Sequence, residues 1–316
     1  MPATKTLPVV ERRTIELAGR DVPYVEVTAA ADGPLLTVIS GVHGCEYASM
    51  AGVRRWLGEL AARDDLRGRV RAVPVLNVTG FAARAPFVVP EDGKNLNRCF
   101  PGSPSGTLAD RLAHDAFRQL IAGSDAYVDA HCGDMVEALE PFALYEAGPA
   151  EERAHALAVA YGLPYVIRQA AGPDRPIGGT SSEAAAAAGI AAITAEAGGC
   201  GLVEEPAVAL HVAGLNRVLA TLGMTGAPLP AATGAPAQTF LGRFLWLRCR
   251  QAGWWSPAVV AGEHVADGQV IGTITTLDGG QVIETICAPA DGVIIFLTSS
   301  PAVAADGLLL GLGAPG

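Results

Sequence analysis

Lysine is almost absent from this chain: of 22 basic residues in 316, only Lys5 and Lys94 are lysines. No Lys/Arg-rich run exists, and the formal charge is -10. That excludes a general nucleic-acid surface, which needs clustered cations to neutralise phosphates. It leaves room for a small anionic ligand, because a few arginines can dominate a pocket. Long apolar runs are missing as well, since Gly, Pro, Asp or Glu interrupts each one. No membrane span is therefore expected, and no signal-peptide core follows Met1-Pro2-Ala3-Thr4-Lys5, so a cytoplasmic location is expected. The six cysteines form no compact secreted framework, and the chain is too long to need disulfide staples, so reduced thiols are expected. Ser40 and Ser182 lie outside any GxSxG elbow, and neither a Walker motif nor a Rossmann fingerprint occurs.

What is present is hydrophobic: 50% of the residues, enough for a large core and, at this length, for two domains. The run Leu35-Leu36-Thr37-Val38-Ile39 reads as a strand, and Gly41-Val42-His43-Gly44-Cys45-Glu46 follows it directly. If the chain turns there into a helix, His43 and Glu46 face the same side and can grip one metal ion. Asp129-Ala130-His131, after another apolar segment, is the best source of a third ligand. Two histidines and a carboxylate would leave one position of a tetrahedral zinc open for water, the arrangement of a hydrolase. Taken singly, either histidine would be a structural or surface residue more often than a ligand.

Strands are predicted at Tyr24-Val25-Glu26-Val27, Leu35–Ile39 and 70–76, with a helix over Tyr47–Leu60. This alternation predicts an α/β fold, a mixed sheet flanked by helices. Residues 79–106 are rich in Pro, Gly, Asn and Asp and are read as an ordered binding loop. Further helices are expected from Leu108 to Leu120 with Thr107 as cap, from Glu151 to Tyr161, through the alanine run after Ser182, and from Glu204 to Leu222. Ile190 to Thr194 returns to strand and presents Glu196 near its end. The Ala/Pro/Gly-rich segment 223–238 marks the boundary between a catalytic domain, 1–228, and a small β domain, 229–316.

In that second domain, Ala261-Gly262-Glu263-His264-Val265-Ala266-Asp267-Gly268 and Ala288-Pro289-Ala290-Asp291-Gly292 look like the turns of a biotinyl/lipoyl-type barrel. With no lysine there to carry a prosthetic group, a lid, wall or oligomer contact is the expected role. The Trp254-Trp255 pair is a candidate for burial against another surface, which allows for a homo-oligomer or a metal-stabilised scaffold as a non-enzymatic alternative.

One loop carries a longer signature. Asp92-Gly93-Lys94-Asn95-Leu96-Asn97-Arg98-Cys99-Phe100-Pro101-Gly102 resembles the Asp-Gly-x-Asn-Leu-Asn-Arg-x-Phe-Pro-Gly segment of the succinylglutamate desuccinylase/aspartoacylase family, within the zinc-carboxypeptidase-like superfamily. His43-Gly44-Cys45-Glu46 matches that family's HxxE, and Asp129 to Asp134 its third-ligand region. Ile193-Thr194-Ala195-Glu196-Ala197-Gly198-Gly199 resembles its catalytic-glutamate segment. The resemblance implies one Zn2+ per chain on His43, Glu46 and His131, with Glu196 as general base and acid. It implies hydrolysis of a small carboxylate-bearing N-acyl amino acid or related amide, with a carboxypeptidase-like peptide hydrolase as the alternative.

Arg98 offers a rigid fork for a substrate carboxylate, and Asn97 an amide donor beside it. Arg84 is a candidate for polarising the scissile carbonyl, with loop anchoring as the alternative. Arg168 or Arg175 is a candidate for a second acidic group. Asp129 is expected to orient a ligand rather than bind metal, and Asp134 and Glu137 to organise the same loop. Cys45, Cys99, Cys132 and Cys200 fall beside these motifs, with packing preferred over thiolate ligation.

Overall fold

A computed structural model describes residues 6–169, 178–226 and 237–316. A nine-stranded mixed sheet is its spine, built from β1 (Val9–Leu17), β2 (Arg20–Thr28), β3 (Ala31–Ser40), β4 (Arg67–Val73), β5 (Ala126–His131), β7 (Phe142–Glu146), β8 (Tyr165–Gln169), β9 (Ala191–Glu196) and β10 (Thr239–Leu241). Their spatial order is β1-β2-β4-β3-β5-β9-β7-β8-β10. Strands β4, β3, β5 and β9 run parallel at the centre, while β7 is antiparallel to β9.

Both faces of the central strands are covered, so their side chains are apolar on both sides. On β3, Leu36 and Val38 pack with Trp56 and Leu60 of α1 (Tyr47–Leu60) and with Leu215 and Leu219 of α6 (Glu205–Thr221). Ile39 turns to the opposite core, with Leu112 and Ala113 of α3 (Leu108–Ala116) and Ala185 of α5 (Ser181–Ala187). Helix α2 (Val78–Ala83) follows β4, and α4 (Glu151–Tyr161) packs under β7 and β9. Helix α3 starts on the expected cap, where Thr107 and Asp110 satisfy each other's backbone N–H groups. It stops at Ala116, and Phe117–Ile121 continues as a wider π turn, so the predicted Leu108–Leu120 helix changes character in its last turn.

The order β4-β3-β5 places a switch point between β3 and β5. The chain leaves β3 through α1 to one side and returns through β5 on the other. Ligands in open α/β sheets sit in the crevice beyond strand carboxyl ends at such a point. His43 follows β3, His131 ends β5 and Glu196 ends β9.

The C-terminal region forms two small antiparallel sheets. One orders β11 (Arg243–Arg248), β18 (Leu308–Ala314), β16 (Gly292–Thr298) and β13 (His264–Val265); the other orders β15 (Val282–Cys287), β14 (Val270–Thr275), β12 (Gly253–Pro257) and β17 (Ala302–Val303). They share a core of Trp255, Ile271, Ile274, Leu309, Leu310 and Leu312. The tryptophan pair therefore splits: Trp255 is buried there and Trp254 stays exposed. The expected boundary at 228/229 lies outside the described residues. Past it, β10 still pairs with β8 of the large sheet, while β6 (Glu137–Leu139) crosses the other way and pairs with β16. No helix among the described residues is long and apolar enough to cross a membrane.

Candidate metal centre and active site

The turn after β3 brings His43 and Glu46 together because glycine permits two close approaches. Gly41 has φ of +64° and lies against Val75, and a Cβ on Gly44 would stand 2.2 Å from the Gly80 backbone. Glu46 occupies the N-cap of α1 yet caps nothing with its side chain. Its carboxylate turns instead to the histidines: Oε1 is 2.5 Å from His43 Nδ1, and Oε2 is 2.8 Å from His131 Nδ1. All three side chains are buried.

The far nitrogens of both rings are also held. His43 Nε2 meets Asn95 Oδ1 at 3.0 Å, and His131 Nε2 meets Asp129 Oδ2 at 2.9 Å. If those outer nitrogens carry the ring protons, both Nδ1 lone pairs face Glu46, and outer partners of this kind fix a metal-ligating tautomer. The ligand atoms of His43, Glu46 and His131 all lie within 4.8 Å of one another. This donor set fits a single divalent ion. Burial pushes the Glu46 carboxyl up, but His131 and His43 outweigh it and hold it at about 2. Burial likewise pulls His131 down, while Asp129 and Glu46 raise it well above the usual imidazole range. The cluster is thus built around positive charge, which a metal supplies in place of protons.

Asp129 is fully buried and accepts from Ser181 Oγ at 2.5 Å as well as from His131. Asn97 is tied to the same group: its Nδ2 is 3.3 Å from Asp129 Oδ2 and its Oδ1 accepts from the Ser181 N–H at 2.8 Å. Its amide is committed to protein partners, although the residue borders the cavity. Asp134 pins the long loop by accepting from the Phe87 N–H at 2.8 Å.

These residues open onto a cavity of about 500 Å³. Glu196 lines it and pairs across β5 and β9 with His131. Burial, reinforced by Glu46, Glu137 and Asp129 and opposed by His131, drives its pKa well above the carboxylate range. Glu137 stands in the same cavity, and burial raises it to about 7. Arg98 reaches in as well, touched by water through the opening yet crowded by protein, which lowers its pKa; a guanidinium remains charged regardless.

Two candidate arginines lie elsewhere. Arg84 caps α2 in the left-handed conformation, φ 53°, and is exposed away from the cavity wall. Arg168 ion-pairs with Glu151 at 2.6 Å on the surface. Arg175 lies outside the described residues. The second cation that does line the cavity is Arg248 of β11, which sequence reasoning did not select. Burial pushes the thiols of Cys45, Cys99 and Cys132 up, so they stay protonated and are poor ligands.

A buried His-Glu-His set at the carboxyl ends of a mixed α/β sheet, open to a cavity that holds a carboxyl of raised pKa and an arginine, defines a metal-dependent hydrolase. The chain belongs to the succinylglutamate desuccinylase/aspartoacylase family, whose catalytic-domain model matches residues 32–222. It is an amidohydrolase of that family, acting on a small N-acylated carboxylate. It is 29% identical over 278 residues to the N-alpha-acetyl-L-2,4-diaminobutyric acid deacetylase of Halomonas elongata, covering 85% of this chain and 79% of that protein. In fold it resembles the product-bound ectoine utilization protein EutE (DoeB) of Ruegeria pomeroyi, with a TM-score of 0.84, 22% identity and coverage of 99% and 97%. A succinylglutamate desuccinylase/aspartoacylase of Rhodobacter sphaeroides is similar, with a TM-score of 0.81, 23% identity and coverage of 99% and 96%.

Proposed function

We propose that this protein is a zinc-dependent deacylase that cleaves the amide of an N-acyl amino acid into a carboxylate and an amine. One observation carries the assignment of roles: Glu196, a carboxyl of raised pKa, shares its cavity with both the ligand set and the Arg98 guanidinium. His43, Glu46 and His131 would hold one zinc ion. When bound, the ion supplies Lewis acidity, polarising the amide carbonyl and making water nucleophilic near neutral pH.

Glu196 takes the proton of the attacking water and returns it to the amide nitrogen as the amine departs. Its elevated pKa suits the second half of that task, since a carboxyl retains a proton to give only when its pKa approaches the working pH. Arg98 holds the substrate carboxylate through charge-assisted hydrogen bonds. Asn97 serves this contact indirectly, by bracing the loop and His131. Similarity to the diaminobutyric acid deacetylase favours an N-acetyl amino acid as substrate over a peptide. Six free cysteines suit a reducing, cytoplasmic setting.

Glu196→Gln tests the assignment. The variant should keep zinc by elemental analysis and its circular dichroism, while kcat for N-acetyl amino acids falls by about 100-fold or more. Near-normal turnover in the metal-replete variant removes Glu196 from the mechanism.

A further inference from the structure

We propose that the far wall of the cavity is a binding site for a large apolar group, so that the preferred substrate carries an aromatic or branched aliphatic group rather than a second acidic one. This rests on the deacylase reading above. The wall comes mainly from the C-terminal sheets. Side chains alternate along β11: Leu245 and Leu247 pack into the small domain's own core, while Phe244 and Trp246 join the opposite cluster. Phe142 of β7 and Phe296 of β16 complete that cluster. The Phe142 and Phe244 rings are 5.7 Å apart, and those of Trp246 and Phe296 are 5.0 Å apart.

All four rings line the cavity that reaches His43, Glu46 and His131. A pocket of about 500 Å³ is of a size that encloses drug-sized ligands, far larger than an acetyl group and a short side chain require. The charges on the wall oppose a second acid. Among the described residues Glu137, Glu146 and Glu196 line the cavity beyond the ligand set, against Arg98 and Arg248 as its only lining arginines. Arg248 lies past the irregularity that follows Leu247 in β11, near enough to Arg98 for the two charges to repel. Trp246 also presents a buried indole N–H with no hydrogen-bond partner among the described residues. A carbonyl or hydroxyl on an otherwise apolar group would satisfy it.

The apolar group could belong to the amino acid or to the acyl chain, and two substrate series separate these sources. One compares N-acetyl derivatives of alanine, leucine, phenylalanine and aspartate; the other compares acetyl-, hexanoyl- and benzoyl-alanine. Apolar enlargement in one series should raise kcat/KM at least about tenfold over N-acetylalanine, the scale on which apolar pockets discriminate. N-acetylaspartate should fall below N-acetylalanine. In Trp246→Ala the apolar preference should shrink to within about threefold of one, and Trp246→Leu should move it in the same direction should the alanine variant fold poorly.

Hydrolysis that proceeds with aspartate preferred, or with no apolar gain in either series, overturns the inference and leaves the deacylase reading intact. Absence of hydrolysis across both series overturns the deacylase reading. Tryptophan fluorescence titration with the same compounds then decides the wall: tighter binding of the apolar members, weakened in Trp246→Ala, sustains an apolar site, and equal binding removes it.

Discussion

Asp129→Asn isolates the outer hydrogen bond that holds His131. In the native site Asp129 Oδ2 gathers Ser181 Oγ at 2.5 Å, His131 Nε2 at 2.9 Å and Asn97 Nδ2 at 3.3 Å, whereas Oδ1 is buried with no hydrogen-bond partner among the described residues. Asparagine offers a single oxygen. If that oxygen stays toward His131, the new NH2 group falls in the empty Oδ1 environment, an unsatisfied donor costing about 1–3 kcal/mol of stability. If the amide flips, His131 loses its acceptor and the ring is free to turn. Either way the negative charge that makes the imidazole a stronger ligand is gone. Removing such a partner typically weakens metal affinity about 10- to 100-fold, equivalent to roughly 1.4–2.7 kcal/mol. Zinc competition against a chromogenic chelator measures the loss, with urea denaturation of the metal-free protein reporting stability separately. Ser181→Ala removes one donor but leaves the carboxylate on His131, so its affinity should change less than about threefold. An Asp129→Asn protein that folds and binds zinc within threefold of wild type would refute the reasoning.

Gly44→Ala should displace the His43–Glu46 turn, because its Cβ would meet the Gly80 backbone at 2.2 Å; a loss of about 1–3 kcal/mol in urea denaturation and weaker zinc binding are expected. His211 bridges the Tyr161 hydroxyl at 2.9 Å and the Ala197 carbonyl at 3.2 Å, fully buried beside the strand that ends in Glu196. His211→Leu should cost about 2–5 kcal/mol, and pairing it with Tyr161→Phe in a double-mutant cycle should recover part of that, since the stranded hydroxyl disappears. Asp110 is held at about 2, chiefly by Lys94 and then by the Thr107 N–H, against an ordinary value of 3.8. Its folded pKa is depressed, so its stabilisation is complete above pH 4 and is lost as the pH falls toward 2. The stability gap between wild type and Asp110→Asn should therefore close over that range in acid denaturation.

The cluster that could hold a metal was legible because local physics places its residues. The continuous apolar run of β3, a glycine turn and an amphipathic helix put His43 and Glu46 on one side, and the structure bounds that helix at Tyr47–Leu60 as its periodicity implies. Glu196 was legible for the same reason, as the last residue of a short apolar strand. The first strand, Val9–Leu17, was not: its sequence, VVERRTIEL, is rich in charge because it lies at the sheet edge with most of its side chains in solvent. Nor was Arg248. Its place depends on β6 pairing with β16 across more than 150 residues of chain, a contact with no local signature. The one clue is that Phe244-Leu245-Trp246-Leu247 is apolar on both faces, odd for a strand of a small sheet with one side in water. Arg84, suggested by an arginine of the family's loop, sits at an exposed helix end, and Arg168, suggested for a second acidic group, sits in a surface ion pair.

The two halves of the molecule are laced through each other. β10, from beyond the expected boundary, extends the large sheet, and β6, from well before it, extends the small one. Each half thus lends the other a strand, and neither can swing away without breaking backbone hydrogen bonds in a sheet that it does not own. A cavity floored by one half and walled by the other is consequently not a hinged clamp. The strands that floor and wall it are tied by backbone hydrogen bonds, so side chains on β11 can be exchanged to retune what the chamber accepts while the metal-binding end stays as it is.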